Sequence, residues 1–254
     1  MLTEERFKLI LSILEKKQAV TVIDLVDFLN VSESTIRRDL TTLNSMGKLK
    51  KVHGGATSIR ESFSSKDDDV DVRQNSNVEE KEEIARYAAS LIRKNDFVYI
   101  DAGTSTEKMI EYISEKRANY VTNGIAHGKK LAKKGFKVYI VGGEIKLATE
   151  AIVGVEAVNS LRKYNFTKGF FGVNAISEEQ GYSTPDVQEA LVKESAMKKS
   201  RESYILADSS KFNKTSCVTF GELSDATIIT TNINDDEVKD YTKVVEVNKI
   251  WFIQ

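Results

Sequence analysis

VSESTIRRDL, residues 31–40, sets two adjacent arginines and three hydroxyl side chains on a stretch that still keeps an apolar stripe. At about 100° per residue, Ile36, Leu40 and Leu43 fall on one side of a helix. Ser34, Arg38, Thr41 and Ser45 cluster opposite, and Arg37 sits on the flank. The apolar side is built for a core. The other side offers hydroxyls and guanidinium groups with no carboxylate in its centre, which suits either a solvated face or a surface turned toward a polyanion.

The neighbours separate the two. Phe7, Ile10, Leu11 and Leu14 repeat at helical spacing and predict a first helix over 3–16. Thr21 is a good N-cap for a short second helix with Leu25, Val26 and Leu29 turned inward. Ser32 caps the third helix, which runs to Ser45 and stops at Gly47. Helix, short helix, tight turn and helix make the helix-turn-helix layout. KLKKVHGGA, residues 48–56, then predicts a β-hairpin wing ended by Gly54 and Gly55. From Ser34 to Lys51 five residues are basic (Arg37, Arg38, Lys48, Lys50, Lys51) and one, Asp39, is acidic, a balance of +4. A major groove admits one α-helix, and arginines, amides and hydroxyls near its N-terminus read base edges. Lysines on a wing suit phosphates, which give affinity more than sequence information. Double-stranded DNA is therefore favoured as partner over a protein that docks on the same helices.

Residues 2–56 resemble the winged helix-turn-helix of DeoR-family bacterial transcriptional repressors, most specifically in S-x-S-T-I-R-R-D-L and V-H-G-G-A. The resemblance implies that Ser34, Thr35, Arg37, Arg38 and Thr41 lie toward the groove, with Lys48, Lys50, Lys51 and His53 among the DNA-contacting residues. It also implies that Asp39 pairs inside the domain.

The whole chain, 254 residues with net charge −1 and 41% hydrophobic composition, is long enough for two domains and is no polycation. One cysteine, Cys217, excludes an intramolecular disulfide and a cysteine zinc cluster; it reads as a packed strand residue. Two histidines argue against a multi-histidine metal site, and neither a metal nor a cofactor is expected. No apolar run approaches the roughly 18 residues of a membrane span, and MLTEERFKLI has no signal-peptide pattern. A cytoplasmic location is expected. Residues 1–57 form the expected DNA-binding domain, 58–77 an exposed connector with the acidic cluster Asp67 to Asp69, and 78–254 a second domain.

In that second domain Asn77 and Glu80 have the spacing of a capping box, ahead of a stripe of Ile84, Ala88 and Leu91. Apolar β-rich runs follow at 97–101, 120–123, 137–143, 168–174, 203–208, 227–231 and 243–247. Helical patterns lie between most of them, at 107–114, 126–134, 151–162 and 187–201. Strands apolar nearly throughout, alternating with helices, predict an α/β fold: an open, mainly parallel sheet with helices on both faces. Ligands bind such sheets at the carboxyl ends of the strands. There the sequence places AGTST, residues 102–106, ahead of a helix, so that Gly103, Thr104, Ser105 and Thr106 form a ready phosphate site. Thr122 and Asn123, Gly142 and Gly143, Gly172 and Asn174, and Asp208 and Lys211 end other strands. Asp186, Glu189 and Lys193 share a helix face, as sugar-hydroxyl ligands or as a surface i,i+4 pair.

DAGTST, TNG, GGEIK, GVNAIS, GYSTPD and ADSSKF are similar, in order, to the effector domain of the DeoR family, whose fold is like that of ribose-5-phosphate isomerase. The resemblance implies phosphate binding at Gly103 to Thr106 and polyol contacts from Asp101, Asn123, Asn174, Asp186, Glu189, Lys193 and Asp208. T-x-A-x-V-G at 149–154 with GYSTPD looks most like fructose-operon repressors, although Glu150 and Ala175 stand where glycine is frequent in the family. The implied function is repression of a sugar operon by a homo-oligomer, dimer or tetramer, released by a sugar phosphate, fructose 1-phosphate first. The rivals are an active sugar-phosphate isomerase carrying a DNA-binding domain, and a DNA-binding protein that answers to a protein partner.

Overall fold

A computed structural model describes residues 2–17, 19–46, 48–58, 62–64, 70–233 and 238–247. The chain divides into two compact units, residues 1–62 and 63–254.

The first unit runs α1 (Thr3–Lys17), β1 (Ala19–Thr21), α2 (Val22–Leu29), α3 (Glu33–Ser45), β2 (Lys50–Val52) and β3 (Gly55–Thr57). The Thr21 hydroxyl accepts from the Asp24 amide at 3.1 Å while the Asp24 carboxylate accepts from the Thr21 amide, which fixes where α2 begins. Asn30, in the left-handed region at φ 51°, ends α2, and Ser32 caps α3 by accepting from the Thr35 amide at 3.3 Å. Ile10, Leu14, Leu25, Leu29, Ile36, Leu40, Leu43 and Leu49 fill the core. Asp39 does pair inside the unit: Arg6 Nε and Nη2 donate to its two carboxylate oxygens at 2.6 and 3.0 Å, with both side chains buried. Gly47, expected as the helix stop, lies outside the described residues.

The wing differs from expectation. It is a three-stranded antiparallel sheet in the order β1-β3-β2, and β1 has no helical or strand signature of its own. Gly54 and Gly55 do not end the hairpin. They turn it, Gly54 at φ 82°, and Gly55 opens β3. A Cβ on Gly55 would stand 2.1 Å from the Val20 carbonyl oxygen, so β1 packs there only against glycine.

In the second unit all seven expected strands form one sheet: β5 (Phe97–Ile100), β6 (Asn119–Thr122), β7 (Lys137–Ile140), β10 (Phe166–Gly172), β13 (Ser200–Leu206), β16 (Thr227–Thr230) and β17 (Val244–Glu246). The order is β17-β16-β13-β10-β5-β6-β7, with the paired strands parallel. Successive residues alternate between two cores. Tyr99, Phe171, Ile205 and Ile228 enter one; Val98, Ile100, Phe170, Leu206 and Ile229 enter the other. Burial on both faces is why the central strands read as largely apolar runs, while β7 at the edge is mostly exposed. The helices are α4 (Val70–Asn75), α5 (Val78–Ser90), α6 (Thr104–Tyr112), α7 (Ile125–Lys133), α8 (Val155–Leu161), α9 (Val187–Lys198) and α10 (Val238–Tyr241). Of the connector, the acidic cluster Asp67 to Asp69 lies outside the described residues, while α4 occupies 70–75.

Smaller strands complete the unit: β4 (Ser62–Ser64) with β14 (Lys214–Ser216); β11 (Ala175–Ser177), β12 (Gly181–Thr184) and β15 (Val218–Gly221) in a side sheet; and an antiparallel pair, β8 (Glu144–Lys146) and β9 (Ala151–Val153). The last pair corrects the helix expected over 151–162. Glu150 at φ 50° and Gly154 at φ 89° bracket β9, and no right-handed helix passes through such residues. Glu150 thus holds a conformation that glycine adopts without steric cost. The capping box at Asn77 also fails. Asn77 sits at φ 49° with no side-chain cap, and both polar side chains turn to the ends of the sheet strands. Cys217 is exposed at a bend between β14 and β15, not packed in a strand. Among the described residues no helix is long and apolar enough to cross a membrane.

Candidate functional site

On the first unit, Ser34, Arg37, Arg38, Thr41, Lys48, Lys51 and His53 are exposed, with Thr35 and Lys50 half-buried. Their roles diverge. The Thr35 hydroxyl lies 2.8 Å from that of Ser32 and belongs to the helix cap. Thr41 donates to the Arg37 carbonyl at 2.8 Å and accepts from Lys51 Nζ at 2.7 Å, while the Lys51 amide donates to Asn44 Oδ1 at 2.7 Å. Asn44, which the sequence did not single out, therefore ties the wing to α3. Arg37 donates through two nitrogens to Glu33, at 2.6 and 2.8 Å, so half of the arginine pair is partly neutralised by a carboxylate just outside the stretch counted above. Arg38 forms no ion pair among the described residues and projects its full charge.

The second candidate site lies where β5 and β10 meet. The strand order turns there: the chain steps outward from β5 through β6 to β7, and from β10 through β13 and β16 to β17. A crevice opens outside the carboxyl ends at such a switch point. Asp101 follows β5 and is buried; its Oδ2 accepts from the Gly172 amide at 3.1 Å and from Lys193 Nζ of α9. Lys193 Nζ also donates to the Gly172 carbonyl at 3.1 Å. Burial pushes the Asp101 carboxyl above its ordinary range, with Lys193 opposing. Beside the pair, Gly103 is the N-cap residue of α6. A Cβ there would stand 3.3 Å from Thr106 Oγ1 and 3.6 Å from Gly172 Cα, so the two backbones approach closely across the switch point. No side chain caps α6, and the amides of Thr104, Ser105 and Thr106 have no intrahelical acceptor. Glu189, one turn before Lys193 on α9, is buried and accepts from Thr149 Oγ1 at 2.8 Å and Lys146 Nζ at 3.0 Å. Lys146 also lies 3.2 Å from Asp186, the cap of α9. Burial opposes the charged form of Asp186, but the Glu189 amide and Lys146 outweigh it and hold its carboxyl below the usual range. Glu189 and Lys193 thus do not form the i,i+4 surface pair; each takes a distant partner.

Several expected contact residues have their polar atoms engaged inside the protein. Asn123 Oδ1 accepts from the Tyr99 hydroxyl and the Ala102 amide at 3.0 and 2.9 Å, and its Nδ2 donates to the Ile152 carbonyl at 3.3 Å. It positions the loop after β5 rather than offering a free amide. Thr106 donates to the Asp101 and Gly103 carbonyls at 2.6 and 2.8 Å, and the buried Thr122 accepts from the Gly124 amide at 3.0 Å. Gly142 and Gly143 lie at the entry to β8; a Cβ on Gly143 would come 2.8 Å from the Val153 carbonyl, so packing explains it. Asn174 accepts from Thr184 Oγ1 at 3.0 Å, and Lys211 donates its amide to the Asp208 carbonyl at 3.1 Å. Ala175, in β11, is fully buried.

His127, Lys146, Thr149 and Lys81 belong to the site region; Lys146 and Thr149 lie in GGEIK and T-x-A-x-V-G without having been singled out as contact residues, and no local motif marks His127 or Lys81. His127 Nε2 lies 3.2 Å from Thr106 Oγ1 and 3.1 Å from the Gly103 carbonyl. Burial drives its pKa down to about 4, so the ring is neutral near pH 7 and braces the loop without charge. The folded value lies below the unfolded one, so the stability that His127 contributes is present above about pH 6.5 and is lost as pH falls toward 4. With two histidines in the chain, imidazole NMR is decisive: the His127 resonance should stay put down to about pH 5 and shift near 4. A midpoint above 6 would mean the ring is not enclosed. Among the described residues no group of three or more His, Cys, Asp or Glu side chains could hold a metal.

The chain is similar to known proteins over its length. The DeoR-like helix-turn-helix domain matches residues 6–62, and the DeoR C terminal sensor domain matches residues 76–232. An uncharacterized HTH-type transcriptional regulator FruR of Bacillus subtilis (strain 168) is 41% identical over 252 residues, 98% of this chain and 100% of that one. The lactose phosphotransferase system repressors of Streptococcus mutans and Staphylococcus aureus (strain N315) are 32% and 34% identical, covering 96% and 95% of this chain and 100% and 98% of theirs. Ribose 5-phosphate isomerase A of Methanocaldococcus jannaschii superposes with TM-score 0.39 and 13% identity over 54% of this chain and 55% of that one, a likeness that carries no functional weight.

Proposed function

The chain belongs to the DeoR family of DNA-binding transcriptional regulators, and from that premise we propose that it represses a sugar-utilisation operon and leaves its operator when a phosphorylated sugar binds the second unit. The observation that carries the effector half is the buried Asp101–Lys193 pair beside the uncapped amides of α6, at the switch point of a parallel sheet. The amides suit a phosphate dianion, and the carboxylates and ammonium groups around them suit hydroxyls. Fructose 1-phosphate is the first candidate: the T-x-A-x-V-G and GYSTPD patterns point there, and a FruR regulator is among the relatives. Operators are read by symmetric oligomers, so a dimer or tetramer is the proposed state.

Fluorescence anisotropy on DNA from upstream of the chain's own gene, titrated with a panel of sugar phosphates, tests both halves. Salt-sensitive binding released by one sugar phosphate supports the proposal. Binding that no sugar phosphate alters sinks the effector half and leaves a protein partner as the alternative. No observation favours the isomerase reading: Asp101 and Lys193 hold each other, and the named relatives are regulators. Within the DNA half, Arg38 is the arginine of α3 that forms no ion pair among the described residues. Arg38→Ala is expected to weaken operator binding by about 1–3 kcal/mol and to relax base preference at one position. Unchanged selectivity against competitor DNA would show that another side chain reads the base.

A further inference from the structure

Strand β7 closes one end of the seven-stranded sheet, and among the described residues no strand pairs with its outer edge. The Val141 amide donates to the Thr122 carbonyl of β6 at 3.1 Å. Backbone groups alternate sides along a strand, so Tyr139 also turns its amide and carbonyl to β6, while Val138 and Ile140 turn theirs outward. Gly142, next on the outward side, gives its amide to Ser160 Oγ at 3.3 Å and ends the run. Such an edge is a template for another strand unless proline, a bulge or charge along its length blunts it. β7 pairs regularly with β6, carries its one charge at its first residue, and contains no proline. Its surface is apolar instead: Tyr139 and Ile140 are exposed, as are Ile145 and Leu147 in the hairpin that follows. The opposite edge of the sheet, β17, is half-buried at every residue.

Charge beside β7 is ordered along the strand. Lys133 and Lys137 stand exposed at its entry and Glu144 stands exposed at its exit. None of the three forms an ion pair among the described residues. An antiparallel neighbour reverses that order, so a second copy of this chain sets lysine beside glutamate at both ends. Resting on the homo-oligomer reading above, we propose that two copies pair through β7, antiparallel about a two-fold axis normal to the sheet, and join two seven-stranded sheets into one. The outward groups fix the register. Val138 and Ile140 of one copy face Ile140 and Val138 of the other, and each facing pair exchanges both of its N–H···O bonds. Tyr139 then meets its own copy across the axis, as a non-hydrogen-bonded pair with Cα atoms about 4.5 Å apart.

The test is disulfide trapping in the full chain. Cys217 is exposed and is first replaced, as Cys217→Ser. On that background Tyr139→Cys should give a covalent dimer as the main product of mild oxidation, because its Cα separation across the axis is one that a disulfide spans. Lys137→Cys, about 14 Å from its own copy in this register, should not. Charge gives a second readout that is independent of cysteine. Lys137→Glu alone and Glu144→Lys alone should each weaken self-association about tenfold in sedimentation equilibrium. An equimolar mixture of those two variants should regain wild-type affinity, since both contacts are then opposite in sign. An oligomer in which Tyr139→Cys fails to cross-link, or cross-links no better than Lys137→Cys, would overturn this inference and leave the oligomer reading standing. A wild-type chain that stays monomeric at every concentration would leave the edge to a strand of another protein and overturn both.

Discussion

Arg6→Ala is expected to destabilise the DNA-binding unit by about 3 kcal/mol, because it leaves the Asp39 carboxylate buried and unpaired. A unit of 62 residues has roughly 3–9 kcal/mol in all. The loss should lower the melting temperature of the unit by about 12–24 °C, at 4–8 °C per kcal/mol for so small a domain. The pair joins α1 to α3, so the helix that presents Arg38 loses its register before any base contact is touched. Operator affinity should collapse at 37 °C and partly recover on cooling. Packing and charge are separable by a second variant. Arg6→Met with Asp39→Leu removes both charges at similar volume, and such replacements are often neutral or stabilising. If the double variant is as unstable as Arg6→Ala, shape and not the unpaired charge was responsible.

Legibility followed the range of the interactions. Ile36, Leu40 and Leu43 were readable as a buried stripe because a helix repeats every 3.6 residues whatever surrounds it. The central strands were readable because burial on both faces keeps most of their length apolar, whereas β7 at the sheet edge is mostly exposed and β13 opens on the polar stretch 200–203. β1 was not, since three residues paired with Gly55–Thr57 gain their structure from partners 34 to 38 positions away. Asn77 and Glu80 match a capping box by spacing, but Asp208 claims the first and Ser209 and Thr231 the second. A local motif gave way to a tertiary contact. At the site, sequence separated residue types and not the direction of their polar atoms. Asn123 and Asp101 both follow β-strands; one is consumed by the fold and the other is held by a buried lysine 92 positions away. His127 was missed for the same reason: what makes it part of the loop is its enclosure against Gly103 and Thr106.

Lys193→Met should destabilise the second unit by about 3–5 kcal/mol at pH 8 and by less at pH 5. The sign follows from Asp101. Burial already raises its carboxyl above the unfolded value of about 3.9, and Lys193 is the main group working against that rise. Without the ammonium the folded pKa climbs further. A carboxyl whose folded pKa exceeds the unfolded one binds its proton more tightly in the native state, so its stabilising contribution is complete below about pH 4 and is lost as pH rises through the folded value. The variant widens that window upward, and its deficit relative to wild type must therefore grow from pH 5 to pH 8. Asp101→Asn combined with Lys193→Met removes the titrating group and should leave a deficit that does not change with pH. Calorimetry of the three chains at the two pH values decides it. An equal deficit for Lys193→Met at both would mean that Asp101 does not depend on the lysine for its charge, and the pair at the switch point would then be a packing contact. With the pH-dependent outcome, the buried carboxylate keeps its charge only through a lysine whose Nζ also reaches the Gly172 carbonyl. A ligand hydroxyl arriving between them would then meet two groups held in opposite charge states before it binds, which is what an effector site at this point of the sheet requires.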